Sequence, residues 1–507
     1  METAICQSRG GVLHSHGEDD WGKARTSMSE MNADERATPH DAASVDPLEL
    51  SHRRPEWSAS QPMTRTQKGA AAGLMAALAL ALAFRPLATA QVLIAACTVF
   101  YVLLTLYKIV VIRASLSPDA ILKFSEEEIA AQEPREWPVF SILVPMYKEP
   151  ETVRQMVASL AAMDYPADRK DVQILLEADD EATLAAARSL ELPPGFRVTE
   201  IPESFPRTKP KACNIGLALA KGEYLVIYDA EDLPEKDQLK KAVMAFEASP
   251  EKVVCVQSRL NYYNPRQNLL TRWFTAEYSA WFDLQLPGLA ALNAVIPLGG
   301  TSNHFKTRVL QDLMGWDAYN VTEDCDLGVR LGRAGFATRM LETTTWEEAC
   351  SVLPFWIKQR TRWQKGYIQT WFVHMREPVK LFRELGFVNF LHYHLLIGGV
   401  TFSALANPIF WLMALVWFVF RPEGVAQLFP GPVFAAGACC LFVGNFVFIY
   451  VSMLGCCKRK NDGLMWLALF TPVYWLLMSY SGWRAFIQFF RDPFVWEKTQ
   501  HGLVKKV

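Results

Sequence analysis

Apolar and polar positions divide the chain into regions with different periods. Residues 1–67 show no sustained apolar period and are rich in Ser, Ala, Asp, Glu, Arg, Pro and His. Because such a composition cannot bury a core, we expect a disordered cytosolic tail. The apolar runs 69–84 and 87–112 then predict a transmembrane hairpin over residues 68–113. Since a helix rises about 1.5 Å per residue, the first run is a short span and the second an ample one.

Residues 114–386 alternate between strand and helix patterns. Four apolar stretches are typical of buried strands: "VFSILVPMY" (139–147), "VQILLEA" (172–178), "YLVIYDA" (224–230) and "VVCVQS" (253–258). Stretches with helical spacing lie between them. This alternation predicts an α/β domain around a largely parallel sheet. Because ligand sites in such sheets form at the carboxyl ends of the strands, the residues that follow these strands are the candidates for a site.

Residues 387–490 are apolar again and contain three runs: 387–420, 432–454 and 464–490. By the positive-inside rule, the basic loop 456–463 and the basic C-terminus should be cytosolic, as should both ends of the first hairpin. The last run, which Pro472 interrupts, therefore crosses twice in short pieces or lies at the interface without crossing. Four or six membrane crossings remain as alternatives.

Charge and cysteine content narrow the functional classes. The net charge of −2 gives no general attraction to nucleic acid, so any basic site must be local. The ten cysteines show no spacing typical of zinc, and reduced thiols suit a cytosolic domain. A transporter or channel would need ionisable residues in its spans. None occurs within 432–454, and only His392 and His394 lie near the start of 387–420, which argues against that class.

Polar residues follow three of the predicted strands. They are Tyr147, Glu149, Asp179, Asp180, Asp229, Glu231 and Asp232. Hard carboxylate oxygens can hold Mg²⁺ or Mn²⁺ together with diphosphate oxygens. Solvated turns or helix caps are the alternative for each cluster alone. Three strands that end in polar residues at one rim favour a site.

Three further stretches contain candidate ligand-binding residues. "TKPKACN" (208–214) brings Lys209 and Lys211 to the opening of a helix, where phosphate binds well, although a plain basic cap is the alternative. "VTEDCDLGVRL" (321–331) places acids before a helix, which is also the pattern of an N-cap. "IPLGGTSNHF" (296–305) contains glycines that let a ligand approach the backbone closely.

"KQRTRWQKGY" (358–367) surrounds Trp363 with basic residues shortly before the membrane region. One interpretation is a basic collar that faces anionic lipid headgroups. The other is a site for a phosphorylated ligand, with the indole as a platform for a sugar ring. Arginine suits a diphosphate because its donors are forked.

The motifs Asp179/Asp180, "DAED", "TED" and "QRTRW" occur in this order between residues 179 and 363. Together they resemble the D, DxD, TED, Q(Q/R)xRW signature of membrane-embedded processive glycosyltransferases of family 2, to which cellulose, hyaluronan and chitin synthases belong. "PMYKEP", "TKPKACN" and "LGGTS" add to the resemblance, which covers about 139–502. It implies a GT-A-type, Rossmann-like cytosolic domain inserted between transmembrane helices of a multi-pass plasma (inner) membrane protein.

The resemblance implies an inverting, processive transfer from a UDP-sugar, with UDP-glucose favoured, to a growing β-linked exopolysaccharide that passes across the membrane. Asp324 would be the catalytic base. The cofactor would be Mg²⁺ or Mn²⁺ on Asp229 and on Glu231 or Asp232. The residues that bind the donor would be Tyr147, Glu149, Asp179, Asp180, Lys211 and Asp229. The acceptor and the diphosphate would be bordered by Gly300, Thr301, Glu323, Gln359, Arg360, Arg362 and Trp363.

The C-terminal "WEKTQHG" (496–502) resembles the FxVTxKG gating loop of cellulose synthases. The likeness implies that the cytosolic segment 491–507 folds over the nucleotide, with Trp496, Thr499 and His501 nearby; an amphipathic anchor is the alternative. An arginine-plus-DxSxxG pattern for cyclic-di-GMP is not found, which leaves room for a separate regulatory or export subunit. Membrane lipids are expected partners and nucleic acid is not. A rival function within the same enzyme class is the transfer of one sugar to a lipid.

Overall fold

A mixed β-sheet lies at the centre of the computed structural model, which describes residues 42–497. In this range the sheet has eight strands: β1 (Phe140–Met146), β2 (Lys170–Glu177), β3 (Phe196–Ile201), β4 (Tyr224–Ile227), β5 (Leu233–Pro234), β6 (Val253–Tyr262), β7 (Asn303–Lys306) and β8 (Ala337–Glu347). Their order is β3-β2-β1-β4-β7-β6-β8-β5. β1 to β4 are mutually parallel where they pair, whereas β7 is antiparallel to β4 and β6. β8 runs parallel to β6 and antiparallel to β5.

The four predicted strands are β1, β2, β4 and β6, and the prediction missed the other four. β5 and β7 have only two and four residues, too few for a hydrophobic period. β8 reads "ATRMLETTTWE" and β3 reads "FRVTEI", so polar residues interrupt both. The expectation of a largely parallel sheet is corrected to a mixed sheet, because the short β7 reverses direction between β4 and β6.

Helices cover the sheet and carry the residues of the site. They are Val153–Ala161, Glu181–Arg188, Lys209–Ala218, Gln238–Glu247, Leu269–Ala280, Leu286–Ala291, Thr307–Asp312, Glu323–Arg333 and Leu353–His374. The apolar side chains of β1, β2 and β4 are buried against them, as expected for strands covered on both faces. This burial fixes the strand ends and therefore the rim at which a site can form.

Five helices in the described range are long and apolar enough to cross a membrane. They are Arg65–Phe84, Pro86–Ala114, Pro378–Phe420, Gly431–Lys458 and Asp462–Arg491. The first two coincide with the two predicted apolar runs and meet at Arg85. The third is divided at Gly386, whose φ of 70° lies outside the helical region.

The last of these helices has both of its ends at the α/β domain. Before it, Arg459 donates hydrogen bonds to Asp283 at 2.5 Å and to the Thr344 hydroxyl at 2.8 Å. After it, Lys365 of the domain donates to the carbonyls of Asp492 at 3.1 Å and Val495 at 2.8 Å. Both ends of this stretch therefore lie on the side of the α/β domain, which the double crossing and the interfacial helix both require. The choice between four and six crossings stays a prediction.

The expectation of a disordered tail over 1–67 is wrong for residues 42–67. This stretch contains the helix Glu49–Arg53 and a 3₁₀ turn before Arg65–Phe84 begins, and Leu50, Trp57 and Met63 are buried. These apolar residues are too widely spaced to form a period. Met63 packs with Ile368, Ala485 and Phe489, and the Arg333 guanidinium lies 4.8 Å from the Trp57 ring. Residues 1–41 lie outside the described residues.

Candidate active site

A cavity of about 430 Å³ opens at the carboxyl ends of β1, β2, β4, β6 and β8. The parallel course of these strands brings their ends to one rim, as the sequence predicted. One part, which we call the charged end, is lined by Lys209, Asp229, Glu323, Asp324 and Arg362. The other, which we call the aromatic end, is lined by Tyr262, Tyr278, Trp281, Phe282 and Trp363. The cavity wall continues to Val400 and Met478 on the apolar helices.

Lys209 is the lysine that enters the charged end. It is the first residue of helix Lys209–Ala218, and its ammonium contacts Asp229 and donates to the Gly300 carbonyl at 2.7 Å. Burial opposes the charge, but Asp229 and Glu323 outweigh it and raise the pKa of Lys209. The side chain therefore stays cationic inside the cavity.

Lys211, the predicted donor-binding lysine, is placed differently. Its side chain is fully buried and pairs with Glu177 at 2.8 Å, and within the described residues it does not line the cavity. A separation of two residues on a helix turns two side chains to nearly opposite faces. The sequence identified the right helix, but its spacing alone did not distinguish the two lysines.

The three acids that follow β4 divide between the cavity and the layer beneath it. Asp229 and Glu231 line the cavity. Asp232 is 2% exposed, accepts the Asp229 backbone N–H at 2.8 Å and contacts the Thr301 hydroxyl. Burial, together with Asp229 and Glu231, raises the pKa of Asp232 well above its usual range. Asp232 therefore supports the turn from below, while Glu231 faces the cavity.

These acids can be tested for their fit to a divalent cation. Within residues 42–497, no three His, Cys, Asp or Glu side chains converge closely enough to hold a metal by themselves. Asp229 and Glu231 nevertheless offer hard oxygens to the cavity, and one Asp232 oxygen is buried with no hydrogen-bond partner in the described range. Such donors suit Mg²⁺ or Mn²⁺ when a ligand's phosphate oxygens complete the shell. The site fits a cation with few protein ligands.

Asp179 and Asp180 lie beside the cavity, and neither lines it within the described range. Asp180 caps helix Glu181–Arg188, since it accepts the Thr183 backbone N–H at 3.3 Å. Asp179 pairs with Arg207 at 2.7 Å and lies 3.5 Å from the Tyr147 hydroxyl. Asp179 therefore contacts two residues that line the cavity, Tyr147 and Arg207. Asp180 is a helix cap, which was the alternative to a ligand-binding role in the sequence analysis.

Tyr147, Glu149 and Arg207 line the cavity at this side. The first two were predicted from the end of the first strand. Arg207 was missed. It precedes the helix of Lys209, and a basic residue just before "TKPKACN" was the signal that could have identified it.

Glu323 and Asp324 form a pair of adjacent acids in the charged end. They begin helix Glu323–Arg333, and Asp324 accepts the Cys325 backbone N–H at 2.7 Å. A Cβ on Gly300 would lie 3.5 Å from the Asp324 carboxylate, so the glycine leaves the space in front of that group open. Thr301, the next residue, is buried beneath the rim and donates toward the Ile227 carbonyl at 3.0 Å.

Both carboxyl groups of this pair are shifted toward the protonated form. Burial and then the neighbouring Asp324 raise the pKa of Glu323 to about 7. Burial also raises the pKa of Asp324, although Arg362 and Lys209 oppose the shift. Because two adjacent carboxylates disfavour each other's charge, the pair releases its last proton near neutral pH. An acid pair that gains and loses a proton in this range can take part in general acid–base catalysis.

Helix Leu353–His374 brings Gln359, Arg360, Arg362 and Trp363 to the cavity. Arg362 donates to the Val321 carbonyl at 3.1 Å, and its guanidinium lies 4.4 Å from the Trp496 ring centre. Burial lowers the pKa of Arg362, and the charges of Glu323 and Asp324 oppose that shift. This position suits the recognition of a diphosphate by a forked cation.

Arg360 has a structural position that the resemblance did not imply. It is 3% exposed, makes a two-pronged ion pair with Glu277 that includes a 2.8 Å bond, and donates to the Tyr474 hydroxyl at 3.0 Å. Its guanidinium also lies 4.3 Å from the Phe274 ring and 4.6 Å from the Trp363 ring. Arg360 thus joins the last apolar helix to the domain and supports Trp363.

The aromatic end provides flat apolar surfaces. Trp363 stacks on Tyr278, with ring centres 6.3 Å apart and an angle of 26° between the planes. Phe274 packs against Trp363 at 6.0 Å from behind. The apolar faces of sugar rings can lie on such surfaces. The sequence predicted this function for Trp363, but it missed Tyr278, Trp281 and Phe282.

The C-terminal segment approaches the charged end from outside. Trp496 lines the cavity over Arg362, and Glu497 pairs with Arg484 at 2.5 Å. Thr499 and His501 lie outside the described residues, so their predicted part in gating stays a prediction.

Residues 137–366 match the family described as "Glycosyltransferase like family 2". This segment is a glycosyltransferase family 2 domain. The resemblance predicted from the motifs is confirmed at this level, and so is the GT-A-type α/β fold, which is flanked by helices that could span a membrane.

Two relatives illustrate the sequence similarity. The chain is 26% identical over 283 residues to "Probable glycosyltransferase YdaM" of Bacillus subtilis (strain 168), an alignment that covers 54% of this chain and 66% of that protein. It is 25% identical over 267 residues to "Probable glucomannan 4-beta-mannosyltransferase 10" of Arabidopsis thaliana, covering 49% of this chain and 44% of that protein. The alignments thus span less than two thirds of the length of these relatives.

Among solved structures, the chain is similar to "Mannosyltransferase PcManGT from Pyrobaculum calidifontis in complex with GDP-Man and Mn2+". The TM-score is 0.50 at 20% identity, and the match covers 80% of this chain and 99% of that chain. At this identity the similarity concerns the fold alone.

Proposed function

We propose that this protein is a membrane-bound, inverting glycosyltransferase that transfers a sugar from a nucleoside-diphosphate sugar to a hydroxyl group of a polysaccharide. One observation carries the proposal: a single cavity brings together Lys209 and Arg362, a pair of adjacent acids and an aromatic wall. The family 2 domain over 137–366 supports the reaction class.

The charged end would bind the donor's diphosphate. Arg362 and Lys209 would donate to its oxygens, and Asp229 with Glu231 would hold a Mg²⁺ or Mn²⁺ ion. When bound, such an ion stabilises the negative charge that develops on the leaving diphosphate. The Mn²⁺ named for the mannosyltransferase of similar fold supports this choice of cation.

Asp324 would accept the proton of the attacking hydroxyl. The hydroxyl oxygen forms a bond to the anomeric carbon as the bond from that carbon to the diphosphate oxygen breaks, so the configuration inverts. The proton moves to the Asp324 carboxylate, and the diphosphate leaves with the electron pair. Gly300 keeps the approach to this carboxylate open. Trp363 and Tyr278 would hold the ring of the acceptor sugar.

The polymeric acceptor is supported by two observations. The cavity reaches Val400 and Met478 on apolar helices, and a relative's name specifies a polysaccharide, glucomannan. Within this proposal the enzyme is processive, and the β-linked product leaves through the plasma membrane from a cytosolic catalytic domain. The proposed donor is a UDP-sugar, with UDP-glucose first. GDP-mannose is a second candidate, since the similar mannosyltransferase structure is described with GDP-Man.

The test uses the purified full chain in lipid nanodiscs. It is incubated with Mn²⁺ or Mg²⁺ and, separately, with UDP-glucose, UDP-N-acetylglucosamine and GDP-mannose. Release of nucleoside diphosphate, product size and linkage are measured, with Asp324→Asn as the inactive control. A polymer of high molecular mass supports the proposal, and a lipid-soluble product with one added sugar supports the lipid-acceptor alternative. Activity equal to that of the Asp324→Asn control with every donor contradicts the assignment.

A further inference from the structure

The loop 316–322 leads directly into Glu323 and Asp324, and a segment from the N-terminal part of the chain crosses over it. We call this segment, residues 46–63, the N-terminal strap. Asp317 of the loop is fully buried beneath it. The Ser58 hydroxyl donates to one Asp317 oxygen at 2.8 Å, and the Ala59 backbone N–H donates to the other at 2.5 Å. One buried carboxylate thus joins the strap to the loop.

The strap is held in place by residues that do not belong to this loop. Arg376, which follows helix Leu353–His374, donates to the carbonyls of Pro55 at 2.9 Å and Ser58 at 3.0 Å, and it contacts the Gln61 carbonyl as well. The guanidinium of Arg333 lies 4.8 Å from the buried Trp57 ring. The strap therefore has its own fixed position, from which it can orient the loop.

On its other side, the loop contacts the helices that carry the cavity cations. The Thr208 hydroxyl, beside Lys209, donates to the Ala318 carbonyl at 2.9 Å. Arg362 donates to the Val321 carbonyl at 3.1 Å, and the Val321 N–H donates to Gln369 at 3.0 Å. A shift of the loop would therefore change the position of Asp324 relative to both cations. Small displacements of this kind can lower a rate strongly, because the reacting groups must stay aligned.

We propose that the N-terminal strap is a positioning element of the transferase site, and that Asp317 is the positioning residue that relates the strap to Asp324. This inference rests on the proposed function, in which Asp324 is the base. It differs from a role in stability alone. If the strap only covered apolar surface, its loss would lower the number of folded molecules without changing the turnover of those that remain folded.

The experiment compares Ser58→Ala, Asp317→Asn and the double variant with the parent in nanodiscs. Hydrogen exchange is measured on peptides that cover 316–326, and kcat is measured per UDP-binding site. We expect faster exchange in these peptides and a kcat about tenfold lower, with the donor KM within about twofold of the parent. The double variant should show a larger effect than either single variant, because Ser58→Ala removes the hydroxyl bond to one Asp317 oxygen and Asp317→Asn removes the acceptor for the Ala59 N–H.

Ser51→Ala is the matched control, since it removes a hydroxyl from the same strap that donates to the Leu48 carbonyl of its own turn at 2.8 Å. It should show parental exchange and kcat. Unchanged exchange in Ser58→Ala and Asp317→Asn would overturn the coupling between strap and loop. Faster exchange at parental kcat would overturn the positioning role. If the parent itself transfers no sugar, the proposed function fails, and the exchange data still decide the coupling.

Discussion

Helix Leu353–His374 contributes one arginine to the charged end of the cavity and another to the support of the aromatic end. Arg362 lines the charged end and donates to the Val321 carbonyl, whereas Arg360, two residues earlier, is bound to Glu277 and buried beside Trp363. The charged end thus has side chains that can exchange their partners for a ligand. The aromatic end is fixed by an ion pair that supports a rigid wall. Donor chemistry and acceptor placement are therefore separable by mutation.

The largest effect is expected for Asp324→Asn. The amide keeps the shape of the carboxylate but accepts no proton, so kcat should fall by about 10²–10⁴. The Kd for UDP with Mn²⁺, measured by calorimetry, should stay within a few-fold of the parent. Activity within a few-fold of the parent would show that Asp324 is a helix-start residue and that the base lies elsewhere.

The comparison of the two arginines is sharpened by Arg362→Met and Arg360→Met. Arg362→Met removes charged hydrogen bonds to the ligand, so the Kd for UDP should rise by roughly 10-fold or more, with little change in melting temperature. Arg360→Met leaves Glu277 without its partner, so the melting temperature should fall by about 5 °C while the Kd for UDP changes little.

A double variant, Arg360→Met with Glu277→Gln, controls for the uncompensated carboxylate and should recover part of the lost stability. The reverse pattern, with UDP affinity lost at Arg360 and stability lost at Arg362, would invert the assignment of the two ends.

Lys209→Met should have a smaller effect, on cation binding. The Lys209 ammonium competes with a metal ion for Asp229. Its removal should therefore raise the affinity for Mn²⁺, in the absence of nucleotide, by roughly several-fold. Electron paramagnetic resonance of free Mn²⁺ measures this directly. Lys211 lies on the same helix but pairs with Glu177. Lys211→Met is therefore the matched control and should leave Mn²⁺ binding unchanged.

The smallest effect is a change in pH dependence in Glu323→Gln. The parent's kcat/KM should rise with pH through about 7, where the acid pair loses its last proton. Asp324 raises the pKa of Glu323 in the parent, and glutamine has no carboxyl proton to release, so the rise through about 7 should be lost in the variant. An unchanged pH profile of kcat/KM would show that the protonation of Glu323 does not affect the reaction.

The raised pKa of Glu323 also has a consequence for stability. The folded state binds more protons than the unfolded state between the usual value of 4.5 and the folded value of about 7. This group's contribution to the free energy of unfolding therefore falls as the pH rises through that window. Glu323→Gln should abolish that part of the pH dependence, as measured by melting temperature against pH.

Much of the site could be predicted because its chemistry coincides with strand ends. Asp229 follows an apolar strand, and Glu323 with Asp324 begins a helix in a motif of fixed order, so sequence alone identified them. Arg360 and Arg362 differ in position because Arg360 pairs with Glu277, which lies 83 residues from Arg360 along the chain. No local pattern contains that contact.

The fold was predictable where apolar runs were continuous and failed where they were not. β1, β2 and β4 are continuous apolar runs, and the sequence predicts them. β7 has only four residues and is a strand because it pairs with β4 and β6. The segment around Trp57 was assigned to a disordered tail because a single buried aromatic residue gives no period. Its order depends on distant partners such as Arg333.

Helix Thr471–Arg491 connects the helix that carries Arg362 and Trp363 to an exposed apolar surface. Gln364 donates to the Met478 carbonyl at 3.0 Å, and Arg484 donates to the Thr361 hydroxyl at 3.1 Å. Its opposite face exposes apolar side chains, including Leu476. If this helix lies at a bilayer surface, as the proposed function expects, lateral pressure on it would reach the helix that carries Arg362 and Trp363 through these two bonds. The shape of the cavity would then depend on lipid composition.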